Sequence, residues 1–290
     1  MELLLQQILA GLATGTIYAC IALAIVMTYL AIGHLNFAQG EMAMFSTFVA
    51  WQLIQWGVPY WITFLATISL SFLGGVLIER VVLRPIHNAP VLSHVAVFIG
   101  LLAILNSLAG FIWNFSVKPF PTPFGTAALG EGGFVSAHQV GMIAVTLVVL
   151  AFLYAFFRFT RIGLAMRAAA ADPVSARLVG IRVDWMMALG WGMASSIGAI
   201  AGMMIAPIVF LDPNMMSGIL LYGFAGALLG GIESPAGAVA GGLLLGVVEN
   251  LAGAYLVGTD LKLTLALVVI VAVLLMKPQG LFGRPVLHRV

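Results

Sequence analysis

Charged side chains are scarce in this sequence. Of its 290 residues, only 8% are Asp, Glu, Lys or Arg and 62% are hydrophobic, whereas a soluble domain carries about 25% charged and 45–50% apolar residues. This composition excludes an ordinary soluble domain. The formal net charge of +2 is also too small to indicate a nucleic-acid-binding protein, which is expected to show a strongly basic surface.

Cysteine, lysine and catalytic motifs are also rare or missing. The only cysteine, Cys20, permits no intrachain disulfide, and its apolar surroundings indicate a packing residue. None of the three lysines, Lys118, Lys262 and Lys277, follows a glycine, so the chain has no GxxxxGK[ST] phosphate-binding loop. The sequences HExxH and GxSxG do not occur, and the histidines show no ligand spacing. We therefore predict no catalytic residue, no metal site and no cofactor held by this chain.

Long uncharged runs are what the sequence has instead. Asp, Glu, Lys and Arg are absent from residues 3–40, 42–78, 85–117, 132–157 and 185–211, and about 20 apolar residues suffice for a helix to cross a membrane. A turn containing glycine and proline at residues 55–60 divides the second run into two helices. The prediction is an all-α polytopic membrane protein with eight or nine transmembrane helices and one or two broken or re-entrant segments. The predicted span centres are Ala19, Phe48, Ser69, Leu102, Val148, Ser196, Phe224, Leu245 and Val269.

The basic residues predict the orientation of these spans. Ten of the twelve lie in residues 79–90, 158–184 and 277–290, which a nine-span arrangement puts on one side. Cytoplasmic loops are enriched in Lys and Arg, so these segments and the C-terminus are predicted to be cytoplasmic. The N-terminal run has no basic region before it and continues past thirty residues, which favours a first membrane helix over a cleaved signal peptide.

A polar break at residues 33–41 interrupts the first two spans and contains no basic residue. Unwound backbone at membrane depth is tolerated where it is buried in protein or lines an aqueous cavity. Two interpretations remain open. Either Asn36 caps the next helix and Glu41 interacts with the helix dipole, or Asn36, Gln39 and Glu41 line a translocation path.

Four further polar residues are candidates for this path. Asp212 and Asn214 belong to a second short polar break, and Glu249 and Asn250 form a polar pair inside an apolar stretch. Ionisable groups within a membrane are functional candidates. Glu249 is equally compatible with pairing to Lys262 or to a backbone amide.

A short cytoplasmic helix is predicted at residues 172–181. Asp172 can cap it, Pro173 fits its first position and Gly180 can end it in the left-handed conformation. The remaining features are an apolar stripe and basic flanks, which would suit docking to a soluble partner; the alternative is that the stripe packs on the protein's own surface or on lipid headgroups. The stripe consists of Val174, Leu178 and Ile181, and the flanking arginines are Arg167, Arg177 and Arg182.

Small residues recur four positions apart, the spacing that lets membrane helices approach closely. The pattern predicts tight helix packing and says nothing about chemistry. It occurs at residues 11–15, 198–202, 226–230, 237–241 and 242–246.

Three motifs together resemble the LivH-type permease subunit of branched-chain amino acid ABC importers, over nearly the whole chain. They are Leu35-Asn36-Phe37-Ala38-Gln39-Gly40-Glu41, the segment 163–181 with Arg167, Asp172 and Arg177, and Gly230-Gly231-Ile232 followed by Ser234-Pro235. Such permeases commonly have histidine in the first motif where this chain has Gln39, which retains hydrogen bonding but removes a titratable group.

The resemblance implies one transmembrane permease domain over residues 1–290, in a bacterial inner membrane, with a cytoplasmic coupling loop at 158–184. The implied partners are a second homologous permease, two cytoplasmic ATPase subunits that carry ATP and Mg²⁺, and a periplasmic amino-acid-binding protein, besides membrane lipid. Residues 172–181 would dock to an ATPase, and the outer loop at 115–138 would meet the binding protein. Import of urea or a short amide, an ion-coupled secondary carrier and a non-transporting scaffold remain the alternatives.

Overall fold

The computed structural model describes residues 2–87, 89–125, 127–129, 135–258, 261–277 and 279–283. Eleven α-helices lie in this part of the chain: α1 Glu2–Ile32, α2 Gln39–Gln55, α3 Tyr60–Ile78, α4 Val91–Trp113, α5 Ala137–Phe159, α6 Arg161–Ala171, α7 Pro173–Leu178, α8 Val183–Val209, α9 Met216–Gly230, α10 Pro235–Ala252 and α11 Lys262–Met276. A π-helical turn and a 3-10 turn, Glu79–Leu83 and Arg84–Ile86, follow α3, and a second π-helical turn, Gly253–Val257, follows α10. Two short strands, β1 Ala128–Leu129 and β2 Val135–Ser136, pair antiparallel, with Ala128 opposite Ser136.

The helices confirm a polytopic membrane protein. Six helical segments are long and apolar enough to cross a membrane: Leu3–Ile32, Tyr60–Ile86, Val91–Trp113, Ala137–Phe159, Val183–Val209 and Pro235–Leu256. Two more apolar helices, α9 and α11, are shorter, and α2 has 17 residues. Every predicted span centre falls within a helix, and the predicted turn at 55–60 joins α2 to α3. The loop at 158–184 contains one helix that was not predicted, α6, whose N-cap Thr160 accepts a hydrogen bond from the Gly163 amide at 2.9 Å.

Contacts within the described chain define two compact units. The first unit comprises Met1–Val26, Thr122–Ala144 and Ser217–Val290, and the second comprises Met27–Pro121 and Val145–Met216. The predicted single domain over the whole chain stays a prediction. Two of the basic residues used in the orientation argument, Arg284 and Arg289, lie outside the described residues.

Glycine contacts hold the first unit together. Gly11 and Gly15 on α1 face the backbone of α10 at Gly242 and Gly246, so that a Cβ on any of them would collide with the facing helix. On α9, Gly226 and Gly230 face the backbone of α10 at Gly237, Gly241 and Gly242 in the same way. The predicted small-residue packing is therefore confirmed for these motifs.

In the second unit, α8 packs on α2 and α3 along surfaces of small residues. Gly198 and Gly202 lie against Ala43 and Thr47 of α2, and a Cβ on Gly75 of α3 would come within 2.6 Å of the Trp191 carbonyl oxygen of α8. Larger side chains fill the space beside these contacts. The buried cluster consists of Met42, Leu83, Phe98 and Trp191, in which the Phe98 and Trp191 rings stack with centroids 6.0 Å apart.

Candidate translocation site and docking helix

The break between α1 and α2 is a hydrogen-bonded turn. Gly33, with φ of 74°, leaves α1 in a conformation that glycine adopts without strain. The Asn36 side-chain oxygen accepts the Ala38 amide at 3.0 Å, and its Nδ2 atom donates to Gln39 Oε1 at 3.2 Å. The N-cap of α2 is Ala38, which makes no side-chain capping bond. The interpretation of Asn36 as the cap is therefore wrong, because its oxygen closes the turn before the helix begins. Glu41 does lie in the first turn, as predicted.

Gln39 ties this break to α8. Its Nε2 atom donates to the Ala194 carbonyl oxygen at 3.0 Å, and Asn36 and Gln39 are both fully buried. An amide side chain can satisfy both roles here because it carries a donor and an acceptor. The end of the unwound segment, at Asn36 to Gln39, is thus packed against α8, whereas Gly33 at its start is exposed.

The second break is also a turn. The Asp212 side chain accepts the Asn214 amide at 2.6 Å, and Leu211 exchanges two backbone hydrogen bonds with Lys118, at 2.8 and 2.9 Å. Asp212 is half-buried and Asn214 is exposed. This turn delivers the chain to α9 without a basic residue.

Asn106 of α4 brings the two breaks together. Its Nδ2 atom lies 2.8 Å from the Pro213 carbonyl oxygen, 3.2 Å from Asn214 Oδ1 and 3.4 Å from Glu41 Oε2. Glu41 is 5% exposed. Sequence analysis did not identify Asn106, because the spans were located by their lack of charge and asparagine is uncharged. A search for lone amides within apolar helices would have found it.

Glu249 and Asn250 belong to a separate group in the first unit. The Glu249 carboxyl accepts hydrogen bonds from the Tyr18 and Tyr222 hydroxyls, whose rings stack 4.7 Å apart, and its Oε2 atom is buried without a partner. Lys262 donates to Asn250 Oδ1 at 3.2 Å. Of the two residues, it is therefore Asn250 that Lys262 hydrogen-bonds. The seven path candidates thus divide between the two units, five in the second and two in the first.

The short helix α7 has the predicted capping. Asp172 Oδ1 accepts the Val174 and Ser175 amides at 3.0 and 3.1 Å, Pro173 is the first residue of α7, and Gly180 follows with φ of 85°. The Ser175 hydroxyl also donates to the Asp172 carboxylate. These hydrogen bonds, the Ser175 hydroxyl first, stabilise the charged form and lower the pKa of Asp172 below its ordinary value.

The predicted apolar stripe on this helix is divided in the structure. Val174 and Leu178 are exposed, at 68% and 83%, and Val179 beside them is exposed as well. Ile181 instead packs against a buried cluster of Ala169, Ala176 and Val183. Its assignment to the outer stripe is wrong, because the positive φ at Gly180 ends the helical periodicity that the prediction extended to residue 181.

The arginines of this region differ in their surroundings. Arg167 on α6 is exposed, whereas Arg177 forms an ion pair with Asp184 of α8 at 3.1 Å. The other oxygen of Asp184 lies 3.2 Å from Arg84, in the turn that follows α3. Asp184 therefore joins α7 to the turn that follows α3. Among the described residues, no group of three or more His, Cys, Asp or Glu side chains could hold a metal ion.

Comparison with known proteins gives the family. Residues 7–274 match the family described as branched-chain amino acid transport system, permease component. The chain is 33% identical to the high-affinity branched-chain amino acid transport system permease protein LivH of Escherichia coli K12, with 99% of this chain and 97% of that protein aligned. It is also 33% identical to the corresponding permease protein BraD of Pseudomonas aeruginosa, over 99% and 98% of the two chains.

A solved structure shares the fold. A chain of PsaBC from Streptococcus pneumoniae, in complex with a Fab, aligns with a TM-score of 0.51 at 13% identity, covering 93% of this chain and 91% of that one. At this identity the similarity concerns the fold alone. The apolar helices define a polytopic membrane protein. The chain belongs to the family of permease components of branched-chain amino acid transport systems.

Proposed function

We propose that this permease is the membrane-spanning subunit of an ATP-driven ABC importer that moves branched-chain amino acids into the cytoplasm of a bacterial cell across the inner membrane. The observation that carries the proposal is full-length similarity at 33% identity to permeases named for this transport. The geometry supports it with two polar breaks inside one unit, the first of which buries Asn36, Gln39 and Glu41, and with an exposed, capped helix at residues 173–178.

The proposed arrangement has nine membrane helices, α1 to α5 and α8 to α11, with the C-terminus in the cytoplasm; α1 and α2 enter the membrane and meet within it at the break. Within the second unit, helix directions support it. Gln39 and Thr47 of α2 lie beside Ala194 and Gly202 of α8 in the same order, so these helices run parallel. Two helices with an odd number of crossings between them run in the same direction, and three crossings, α3, α4 and α5, lie between α2 and α8.

The proposed arrangement also places the break at 33–38 within the membrane. Gln39 bonds to Ala194, eleven residues after the start of α8 at Val183, which is about 17 Å along a helix at 1.5 Å per residue. Half of a ~30 Å hydrocarbon core is about 15 Å. Buried unwound backbone at this depth is typical of segments that line a transport path, so Asn36, Gln39, Glu41, Asp212 and Asn214 are proposed to contribute to one in this unit.

Docking to an ATPase is proposed to occur through α7. Val174 and Leu178 expose apolar surface to a groove of the partner, while Asp172 and Gly180 fix the ends of the helix. Exposed apolar residues beside basic groups suit a soluble protein partner better than bulk water. ATP and Mg²⁺ would then reside on the partner ATPase, since this chain has no phosphate-binding loop.

The remaining proposed partners follow from the same assembly: a second homologous permease, two ATPase subunits in total, and a periplasmic amino-acid-binding protein that meets the outer segment near residues 115–138. Membrane lipid surrounds the exposed apolar side chains of α3, α4 and α5, such as Leu73, Phe111 and Phe152.

Reconstituted transport tests this proposal. The chain is co-expressed with candidate ATPases, a candidate second permease and a candidate binding protein from the same organism, and uptake of radiolabelled leucine into proteoliposomes is measured with and without ATP. We expect ATP-dependent uptake. Uptake of urea in preference to leucine, uptake driven by an ion gradient without ATP, or failure of any ATPase to co-purify would overturn the proposal.

A substitution at the docking helix tests the contact itself. Leu178→Asp places a charge on the exposed apolar face without touching the cap, so we expect loss of ATPase co-purification and uptake at unchanged expression. The matched control, Leu178→Met, retains apolar surface and is expected to retain both. Full uptake by the aspartate variant would contradict the proposed docking contact.

A further inference from the structure

The oxygen cluster around Asn106 has more acceptors than its donor can satisfy. The Asn106 amide carries two N–H hydrogens, yet three oxygens from separate parts of the chain lie within 3.4 Å of its nitrogen: Glu41 Oε2, the Pro213 carbonyl oxygen and Asn214 Oδ1. At any moment, therefore, at least one of these three oxygens receives no hydrogen bond from Asn106. In addition, Glu41 is buried to more than nine-tenths, and Asn106 is the hydrogen-bond donor that the structure gives its carboxyl group.

The cluster also contains acidic side chains. Besides Glu41, Asp212 adds a carboxylate in the adjoining turn, where it accepts the Asn214 amide. The segment that pairs with this turn carries Lys118, whose ammonium donates to Ser116 Oγ at 2.9 Å and lies 5.2 Å from the centroid of the Trp51 ring. The cluster therefore suits a cation that donates hydrogen bonds.

A primary ammonium group matches this arrangement better than the amide does. It has three N–H hydrogens for three acceptors and a positive charge opposite a buried carboxylate, and charge-assisted hydrogen bonds are about twice as strong as neutral ones. The Asn106 nitrogen already marks a point at 2.8–3.4 Å from all three oxygens. A metal ion fits less well, because Na⁺-like and Ca²⁺-like cations take about six oxygens and three are gathered here.

We propose that Glu41, the Pro213 carbonyl and Asn214 bind the α-ammonium group of the transported amino acid, and that the Asn106 amide is the exchangeable donor that this group replaces. The inference rests on the proposed function and names the part of the cargo that the second unit recognises. Asn106 is only half-buried and Asn214 is exposed, so the ammonium can approach from the Asn214 side while Glu41 stays covered.

An ammonium probe tests the site separately from transport. The purified permease complex, with its ATPases and without the binding protein, is titrated with 3-methylbutylammonium chloride while its thermal unfolding is followed; 3-methylbutan-1-ol and NaCl at equal concentration are the controls. We expect a saturable rise in Tm with the ammonium compound alone. Equal stabilisation by the alcohol or by NaCl would overturn the proposal.

Variants then locate the binding. Glu41→Gln is expected to weaken the apparent affinity for the probe at least tenfold, and Asn214→Ala, which alters an exposed side chain, is expected to weaken it less. Asn106→Leu removes the competing donor and is expected to bind the probe as well as the parent or more tightly. The matched control Ser107→Ala, at an exposed position of the same helix, should leave the affinity unchanged. Unaltered affinity for the probe in both the Glu41 and Asn214 variants would contradict the proposed site. The exposed Asn214 position keeps this test available if the buried Glu41 variant does not fold.

The two proposals fail in different ways. If the probe binds as described but the complete assembly does not take up leucine with ATP, the proposed function is wrong and the ammonium site stands. If leucine uptake is normal but the probe does not bind, or binds independently of Glu41 and Asn214, the function stands and the site is wrong.

Discussion

Two adjacent glycines of α3 offer a matched test of the packing on α8. A Cβ added at Gly75 would lie 2.6 Å from the Trp191 carbonyl oxygen, 2.8 Å from Ser195 Cβ and 3.0 Å from Gly192 Cα, whereas a Cβ at Gly74 would meet nothing within 4 Å. The backbone of α8 cannot yield like the end of a flexible side chain, so Gly75→Ala must separate the helices. Overpacking of this kind costs about 1–3 kcal/mol.

The cost of the steric clash is the difference in free energy of unfolding between the Gly74→Ala and Gly75→Ala variants. Replacing glycine by alanine within a helix stabilises it by about 0.8–1 kcal/mol, and this gain is shared by both positions. Gly74→Ala is therefore expected to be neutral or slightly stabilising. Gly75→Ala should be less stable than Gly74→Ala by about 1–3 kcal/mol.

Thermal or denaturant unfolding of the purified permease in one detergent measures this difference, and leucine uptake by the assembled importer shows whether the displaced helix matters for transport. The neighbouring position controls for expression, detergent and helix propensity. Equal stability of the two variants would refute the close packing of α3 on α8.

Two further predictions concern the docking helix. Asp184→Asn weakens the ion pairs to Arg84 and Arg177. Because these pairs are about half exposed, each contributes about 0.2–1 kcal/mol, so we expect a small change in Tm but faster hydrogen exchange in residues 173–178. Unchanged exchange would argue against a role of these ion pairs in holding α7. The pKa of Asp172 is lowered by the Ser175 hydroxyl and backbone amides, so its cap is fully present above the ordinary value of 3.8 and is lost as pH falls through the lower pKa of the folded state. Hydrogen exchange of α7 measured below pH 4 should show this loss in the parent and not in Asp172→Asn, which caps without titrating; the same profile in both would disprove it.

Local chemistry made much of the cytoplasmic segment predictable. Asp172, Pro173 and Gly180 act on their own or adjacent backbone groups, so their roles could be read from neighbouring residues. Ile181 could not be placed in the same way. Once Gly180 turned the chain, the position of Ile181 depended on the Ala169 and Val183 cluster, which belongs to other helices.

The polar breaks show the same division. Their position, shortness and lack of basic residues were evident in the sequence, but the hydrogen bonds within them were not. Asn36 is of a residue type that commonly caps helices. Whether its side chain caps α2 or closes the preceding turn is decided by where α2 begins. That start is fixed in turn by the bond from Gln39 to Ala194, 155 positions away.

The sequence by itself determined that this protein lies in a membrane, where its membrane helices lie and which family it belongs to. Hydropathy, loop charge and glycine spacing are properties of contiguous residues. Only the tertiary structure decided that Glu41, Asn106, Pro213 and Asn214 meet. Their separations of 65 and 107 or 108 residues carry no local signal, and they come together because α2, α4 and the turn before α9 converge in one unit.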